Sequence, residues 1–117
     1  MKTNPTTELL KGTLTTIILR LLSEKGKMYG YELAQCVKET TDSKVLIKEG
    51  SLYPALHKLE ADGLIECEKM MIGKRVRKYY HLTPAGETAT AKAINELLEF
   101  LSTIHHLITT EPIYGNT

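Results

Sequence analysis

The stretch GSLYPALHKLEADGLIE, residues 50–66, and the stretch GKRVRKYYHL, residues 73–82, decide the fold. The first has apolar residues at helical spacing and Gly63 where a helix would stop, which predicts a helix over about residues 51–62. The residues on either side of Gly73 alternate in polarity and predict two antiparallel strands. A short helix followed at once by a hairpin with a cationic tip predicts a winged helix-turn-helix.

Two further helices precede this unit. Apolar residues between Glu8 and Glu24 recur with a period of 3.6 residues and predict an amphipathic helix with a wide apolar surface. The pattern of residues 29–39 predicts a second helix, which would pair with the helix of residues 51–62 as the helix-turn-helix. The branched run Val45-Leu46-Ile47 predicts a single short strand. The predicted fold class is α+β, mainly α.

A last helix is predicted from Thr83, as N-cap, and Pro84, as first helical residue, to about residue 108. Its apolar residues are spaced 3, 4, 3, 4, which is an a/d seam over two heptads and favours a dimerisation helix. The alternative is a helix folded back on its own core. The predicted division is therefore a DNA-binding domain over residues 1–83 and a dimerisation helix with tail over residues 84–117. The predicted dimer interface comprises Leu14 and Ile18 of the first helix with Ile94, Leu97, Leu101, Ile104 and Ile108 of the last.

The charge distribution favours nucleic acid more than the net charge does. The 117-residue chain has a net charge of only +1, yet residues 69–82 contain five cations and no acid. A concentrated basic patch is typical of phosphate-binding surfaces. A solvated charged hairpin without a ligand is the alternative.

The exposed side of the predicted third helix fits the major groove, with its N-terminal residues nearest the bases. Pro54 is predicted in the first turn, where a missing N–H is tolerated. Tyr53 has the alternative of an aromatic packed at the rim of the core, and His57 that of a surface residue without a role. The candidate DNA-binding residues are Ser51, Tyr53, Pro54, His57 and Lys58 on the helix and Lys74, Arg75, Arg77 and Lys78 on the wing. Two recognition helices in a two-fold dimer would face a roughly palindromic site, with half-sites about one helical turn apart.

Other classes of protein receive little support. The longest apolar run is far below the roughly 20 residues of a membrane span, and residues 1–12 lack a signal-peptide pattern, so the expected location is the cytoplasm. Cys36 and Cys67 are expected to be free thiols. His105 and His106 are adjacent in the sequence and therefore point to different faces of the helix, so no metal site is expected. Neither a cofactor nor a catalytic arrangement is indicated, which makes an enzyme the least favoured class.

Four segments resemble the PadR-like family of bacterial transcriptional regulators over about residues 8–90: ELLKGTLTTIILRLLSE, MYGYEL, GSLYPALHKLEADGLIE and RKYYHLTPAG. The resemblance implies a homodimeric repressor that binds a promoter and is released by a small molecule or stress signal. It also implies that the five helix candidates lie on the recognition helix and that Arg75, Arg77 and Lys78 lie on the wing. A single C-terminal helix is similar to the short branch of the family.

This chain differs from the family pattern at the wing. Lys69 stands where an aromatic is frequent, and Met70-Met71-Ile72 replaces a polar loop. The chain has no Trp, whereas some short members stack flat aromatic drugs between tryptophans at the dimer centre. An effector pocket, if present, is expected near Leu14, Ile18, Leu97 and Leu101. Two other hypotheses stay open: a protein-interaction module on a winged-helix scaffold, and a metal- or redox-sensing regulator that uses the cysteines and histidines.

Overall fold

Helices surround a three-stranded antiparallel sheet in the part of the chain that the computed structural model describes, Leu10 and residues 12–112. The strand that comes last along the chain lies between the other two. The predicted winged helix-turn-helix of mainly α class is confirmed. The elements in chain order are α1 (Leu14–Lys25), β1 (Met28–Tyr29), α2 (Gly30–Thr40), α3 (Glu49–Ala61), β2 (Ile65–Ile72), β3 (Arg75–Leu82) and α4 (Pro84–Thr109).

The core lies where α1, α2 and α3 meet one face of the sheet. Ile18, Leu33 and Leu56 each come from a different helix and are fully buried. Tyr80 of the central strand closes the core from the sheet side, and burial raises the pKa of its hydroxyl to about 12. Complete burial of each such side chain contributes about 1.5–3 kcal/mol, so this cluster fixes how the helices sit on the sheet.

The wing is a long hairpin whose inner end is anchored and whose outer end is free. Strands β2 and β3 pair in register from Ile65 opposite Leu82 to Ile72 opposite Arg75. The turn between them contains Gly73, whose φ of +63° is a left-handed conformation that L side chains rarely adopt. The hairpin is exposed over its outer half.

The start of α4 is joined tightly to the end of α3. Thr83 caps α4 as predicted, because its hydroxyl accepts the Gly86 N–H at 3.0 Å. The same hydroxyl donates to the Gly63 carbonyl at 2.7 Å, and the Thr83 N–H donates to the Leu64 carbonyl at 3.1 Å. One residue therefore satisfies backbone groups at both helix ends.

The predicted strand at Val45-Leu46-Ile47 is wrong. These residues form an irregular connection, in which the Val45 N–H donates to the Thr41 hydroxyl at 3.0 Å. The short strand of the sheet is β1 instead, which pairs Met28 with Tyr80 and Tyr29 with Tyr79. A two-residue strand at the start of a helix is too short for any alternation to be visible in the sequence.

Two helix boundaries also differ from the prediction. A turn at Gly12 and Thr13 precedes α1, which begins at Leu14, while the predicted start at Glu8 lies outside the described residues. Helix α3 begins at Glu49 rather than near residue 51, so Pro54 lies in its second turn and not in its first. Pro54 therefore has no N–H to donate to the Gly50 carbonyl four residues earlier.

Helix α4 packs on α1 only along its first half. Gly86 and Thr90 are buried, whereas Leu98, Leu107 and Ile108 are 59, 69 and 75% exposed. The second half of the helix projects from the body of the molecule and carries apolar side chains in the open. None of the helices in the described ranges is both long enough and apolar enough to cross a membrane.

Replacement of Gly86 by alanine is expected to destabilise the fold strongly. A Cβ at this position would overlap the carbonyl oxygen of Leu64 and approach Leu82 to 3.3 Å. The overlap is with backbone, so relief requires α4 to shift, at a cost of about 3 kcal/mol or more. Urea denaturation measures the change, with Gly50→Ala as the control because no atom lies within 4 Å of a Cβ there. Equal unfolding midpoints for Gly86→Ala and the native chain would contradict the close approach.

Candidate nucleic-acid interface

Helix α3 presents one polar face to solvent and buries the other. Leu52, Leu56 and Leu59 recur at i, i+4 and i+7 and anchor the helix in the core. The opposite face carries Pro54, His57 and Lys58, all exposed, while Ser51 and Tyr53 flank this face and are half-buried. The five helix candidates from the sequence therefore lie on or beside the accessible side of one helix.

Tyr53 lies against the first residue of α2. A Cβ on Gly30 would be 2.6 Å from the Tyr53 hydroxyl oxygen, and Tyr53 packs on the edge of the core. The ring therefore sets the approach of α2 to α3 within the helix-turn-helix, as in the alternative that the sequence left open. Tyr53 also lines the groove beside the wing.

Lys58 is not fully free on the surface of α3. Its ammonium is 3.1 Å from the carboxylate of Asp62, the residue that directly follows α3. An exposed pair of this kind contributes little, so a phosphate can replace the carboxylate at small cost. His57 is exposed beside it and has an open approach.

The wing cations fall into two groups. Lys74, Arg75 and Lys78 are exposed, but Arg77 is half-buried, with its guanidinium carbon 4.1 Å from the centre of the Tyr29 ring. This is a cation–π contact, and interaction with the side chain of Tyr79 raises the pKa of Arg77 further above its ordinary value. Tyr79 also meets the edge of Tyr29, with ring centres 5.3 Å apart. Arg77 therefore fastens the wing to the start of α2.

Lys69 is a candidate that sequence reasoning left out of the interface. The register places it directly opposite Lys78 on the same face of the hairpin, and both side chains are exposed. Like charges at directly opposed positions repel, and an anion placed between them relieves the repulsion. Only the pairing register shows this, because a shift of one residue would put the two lysines on opposite faces.

The acids of β2 do not cancel these cations. Glu66 and Glu68 lie on the other face of the hairpin, where Glu66 contacts His81 at 3.2 Å and Glu68 contacts Lys27 at 2.7 Å. The Lys27 ammonium lowers the pKa of Glu68 through this hydrogen bond. On one face of the wing base the carboxylates are thus paired with His81 and Lys27, and the other face is cationic.

A groove of about 570 Å³ separates α3 and the start of α2 from the wing. Tyr53 and Gly30 line one side, and Lys69, Val76 and Lys78 line the other. Cations along one wall and an exposed helix on the other fit a nucleic-acid backbone in the groove. Among the residues described, no three His, Cys, Asp or Glu side chains lie close enough together to hold a metal ion.

The residues predicted for the dimer interface occupy two different environments. Leu14 and Ile18 lie in the core of the single chain, 4 and 0% exposed, so neither is available to a partner or to an effector in this conformation. The others lie along α4: Ile94, Leu97 and Ile104 are half-buried, and Leu101 and Ile108 are exposed.

Comparison with known proteins gives a family. Residues 18–92 match the model described as the transcriptional regulator PadR-like family. Transcriptional regulator Rv3488 from Mycobacterium tuberculosis is 44% identical over 54 residues, which is 44% of this chain and 50% of that protein.

Solved structures agree with this result. A transcriptional regulator from Clostridium thermocellum superposes with a TM-score of 0.78 at 32% identity, covering 88% of this chain and 99% of that one. A PadR family transcriptional regulator from Eggerthella lenta has a TM-score of 0.73 at 29% identity, covering 89% of this chain and 88% of that one.

The contact of Tyr53 with Gly30 predicts a rescue experiment. Gly30→Ala is expected to lower the free energy of unfolding by about 1–3 kcal/mol, because the new Cβ meets the Tyr53 hydroxyl. Removal of that hydroxyl in Gly30→Ala, Tyr53→Phe should recover part of the loss, since the nearest remaining ring carbon is 3.2 Å away. Urea denaturation of the four forms gives the coupling. Additive effects of the two substitutions would mean that the two residues do not pack together.

Proposed function

Because the chain belongs to the PadR-like family of transcriptional regulators, we propose that it represses promoters as a homodimer that binds duplex DNA through α3 and the wing. The chain is a transcriptional regulator and not an enzyme. The observation that carries the proposal is the groove between α3 and the wing, with Lys69 and Lys78 opposed on one wall. The proposal places the chain in the cytoplasm, because the family that it resembles regulates bacterial promoters.

In this proposal α3 enters the major groove with its exposed face toward the base edges. Ser51, Pro54, His57 and Lys58 then lie along the DNA, and the α3 N-terminus contributes backbone N–H groups for phosphate. The proposed phosphate ligands of the wing are Lys69, Lys74, Arg75 and Lys78, which are exposed. Arg77 acts by holding the wing in place through Tyr29.

The proposed dimer forms through the projecting half of α4. Large apolar side chains exposed there include Phe100, at 60%, and Leu101, at 47%. An apolar stripe of this length in water is typical of a helix that pairs with another copy. The proposed interface comprises Ile94, Leu97, Leu101, Ile104 and Ile108, with Leu98, Phe100 and Leu107 widening it, and does not include Leu14 or Ile18.

The dimer has a geometric consequence for the operator. An isologous pairing of two α4 helices relates the two α3 helices by a two-fold axis. The operator is then a pseudo-palindrome with half-sites about one helical turn apart. Release by a small molecule or stress signal is part of the same proposal and is supported by the family resemblance. An effector would act between the α4 helices near Leu97 and Leu101, where a change of packing alters the separation of the recognition helices.

The wing cations should determine how strongly salt weakens DNA binding. Arg75→Ala with Lys78→Ala removes two proposed phosphate contacts in each subunit, and each contact accounts for about −0.9 in the slope of log affinity against log salt. The control, Arg20→Ala with Lys25→Ala, removes the same charge from exposed positions of α1. Fluorescence anisotropy with duplex DNA from upstream of the gene, at several salt concentrations, measures both slopes.

We expect a flatter slope for the wing variant and an unchanged slope for the control. Equal slopes would contradict the wing contacts, and no binding by the native dimer at low salt would favour a protein-interaction module instead. The same assay, repeated with phenolic and planar aromatic compounds, tests release by an effector.

A charge in the α4 seam should separate the subunits. Leu101→Asp would bury a carboxylate in an apolar interface and is expected to weaken dimerisation by at least about 100-fold, equal to about 2.7 kcal/mol. Thr103→Asp is the matched control, because Thr103 is exposed and lies on the other side of the helix. Sedimentation equilibrium measures the mass of each form. A dimer that survives Leu101→Asp, or dissociates equally in the control, would place the interface elsewhere.

A further inference from the structure

The outer end of the wing carries apolar side chains at solvent-exposed positions, where polar side chains are usual. Met71 and Val76 are 65 and 59% exposed, and the strand register places them directly opposite each other. On the other face of the hairpin, Met70 and Ile72 are 38 and 41% exposed. The exposed Met71–Val76 pair does not contribute to the core. The outermost pair of the hairpin that packs on the core is Tyr80 and Cys67, four residues nearer the base.

On the face that carries Met71 and Val76, three residue pairs of different polarity follow one another from the core outward. Tyr80 and Cys67 are packed on the core, the next pair outward is Lys78 and Lys69, and the last is the Met71–Val76 pair. Alternate residues of an antiparallel strand are about 7 Å apart, so the apolar pair lies about 7 Å beyond the lysines.

The DNA minor groove is about 7.5 Å deep and about 6 Å wide, so an apolar pair about 7 Å from phosphate-binding lysines is within reach of the groove. Lysines that bind phosphates at the rim would leave the apolar pair facing the groove, with the tip cations Lys74 and Arg75 further along it. A two-stranded hairpin is too broad for an undistorted minor groove, so entry requires the groove to open. Apolar side chains at such a position act as wedges that partly unstack a base step and kink the duplex.

We propose that Met71 and Val76 form an apolar wedge that enters the minor groove and bends the operator. The proposal rests on the proposed DNA-binding function and adds a mode of recognition to it. Charge selects DNA over an apolar protein surface, because Lys69 and Lys78 precede the pair on its face, the cations Lys74 and Arg75 follow it at the tip, and residues 69–82 contain no acid. The wedge makes the chain selective for sequences that deform easily beneath the wing, such as TA and CA/TG steps.

The test compares two double variants on the same DNA. Met71→Thr with Val76→Thr removes the apolar surface and leaves the charge and the strand preference intact, while Met71→Leu with Val76→Ile keeps the surface. Both positions are exposed, so both variants should fold, and thermal melting checks this. The probe is a duplex from upstream of the gene with a fluorescent donor and acceptor at its two ends. Energy transfer reports the bend, and anisotropy reports affinity and salt slope.

We expect the native chain and the Leu/Ile variant to bend the duplex by tens of degrees. The Thr/Thr variant should lose most of the bend and about tenfold in affinity, with an unchanged salt slope because its cations remain. Native-like bending and affinity in the Thr/Thr variant, or native binding without a bend, would overturn the wedge and leave the proposed function in place. No binding by the native chain at low salt would overturn both and would assign the apolar pair to a protein partner.

Discussion

The burial of Tyr80 is the constraint on which the wing depends. This side chain belongs to the central strand and lies in the core with helices α1, α2 and α3, so β3 is held at its inner end. Because side chains alternate between the two faces of a strand, every second residue outward from Tyr80 lies on the same face as Tyr80. A single anchored strand thus orders the lysines and the apolar pair along one face, and Arg77 on Tyr29 braces the opposite face against α2.

A second constraint decides where α4 points. Gly86 lies against the Leu64 carbonyl, and Thr83 hydrogen-bonds to Gly63 and Leu64, so the start of the last helix is held against the segment that follows α3 and its direction is fixed. The wing and the projecting helix begin on either side of this joint. The proposed DNA-binding surface and the proposed dimer surface therefore have a fixed relation within one chain, which the proposed recognition of two spaced half-sites requires.

The sequence predicts well the helices and strands that repeat an apolar pattern over many residues. It predicts poorly the contacts between these elements. Helices α2, α3 and α4 and the hairpin follow from periodicity, caps and Gly73. Strand β1 could not be predicted, because two residues are too few to show an alternation of polarity. The sequence favours Lys69 less because it lies on a strand rather than at the hairpin tip, and only the register shows that it pairs with Lys78. The sequence makes Arg77 a DNA-binding candidate because Tyr29, 48 positions earlier, gives no local signal of their contact. The apolar stripe of α1 showed that Leu14 and Ile18 are covered, but not that their own chain covers them.

The tyrosine cluster at the wing base gives the chain a built-in reporter. The sequence has six tyrosines and no tryptophan, so the near-ultraviolet emission of the unlabelled chain comes from tyrosine alone. Tyr29, Tyr31 and Tyr79 stack or meet edge to face beside the Arg77 guanidinium, with Tyr53 and Tyr80 on the adjoining groove. Five of the six tyrosines thus lie around the base of the hairpin. A movement of the hairpin that changes these contacts therefore changes the tyrosine spectrum of the unmodified chain.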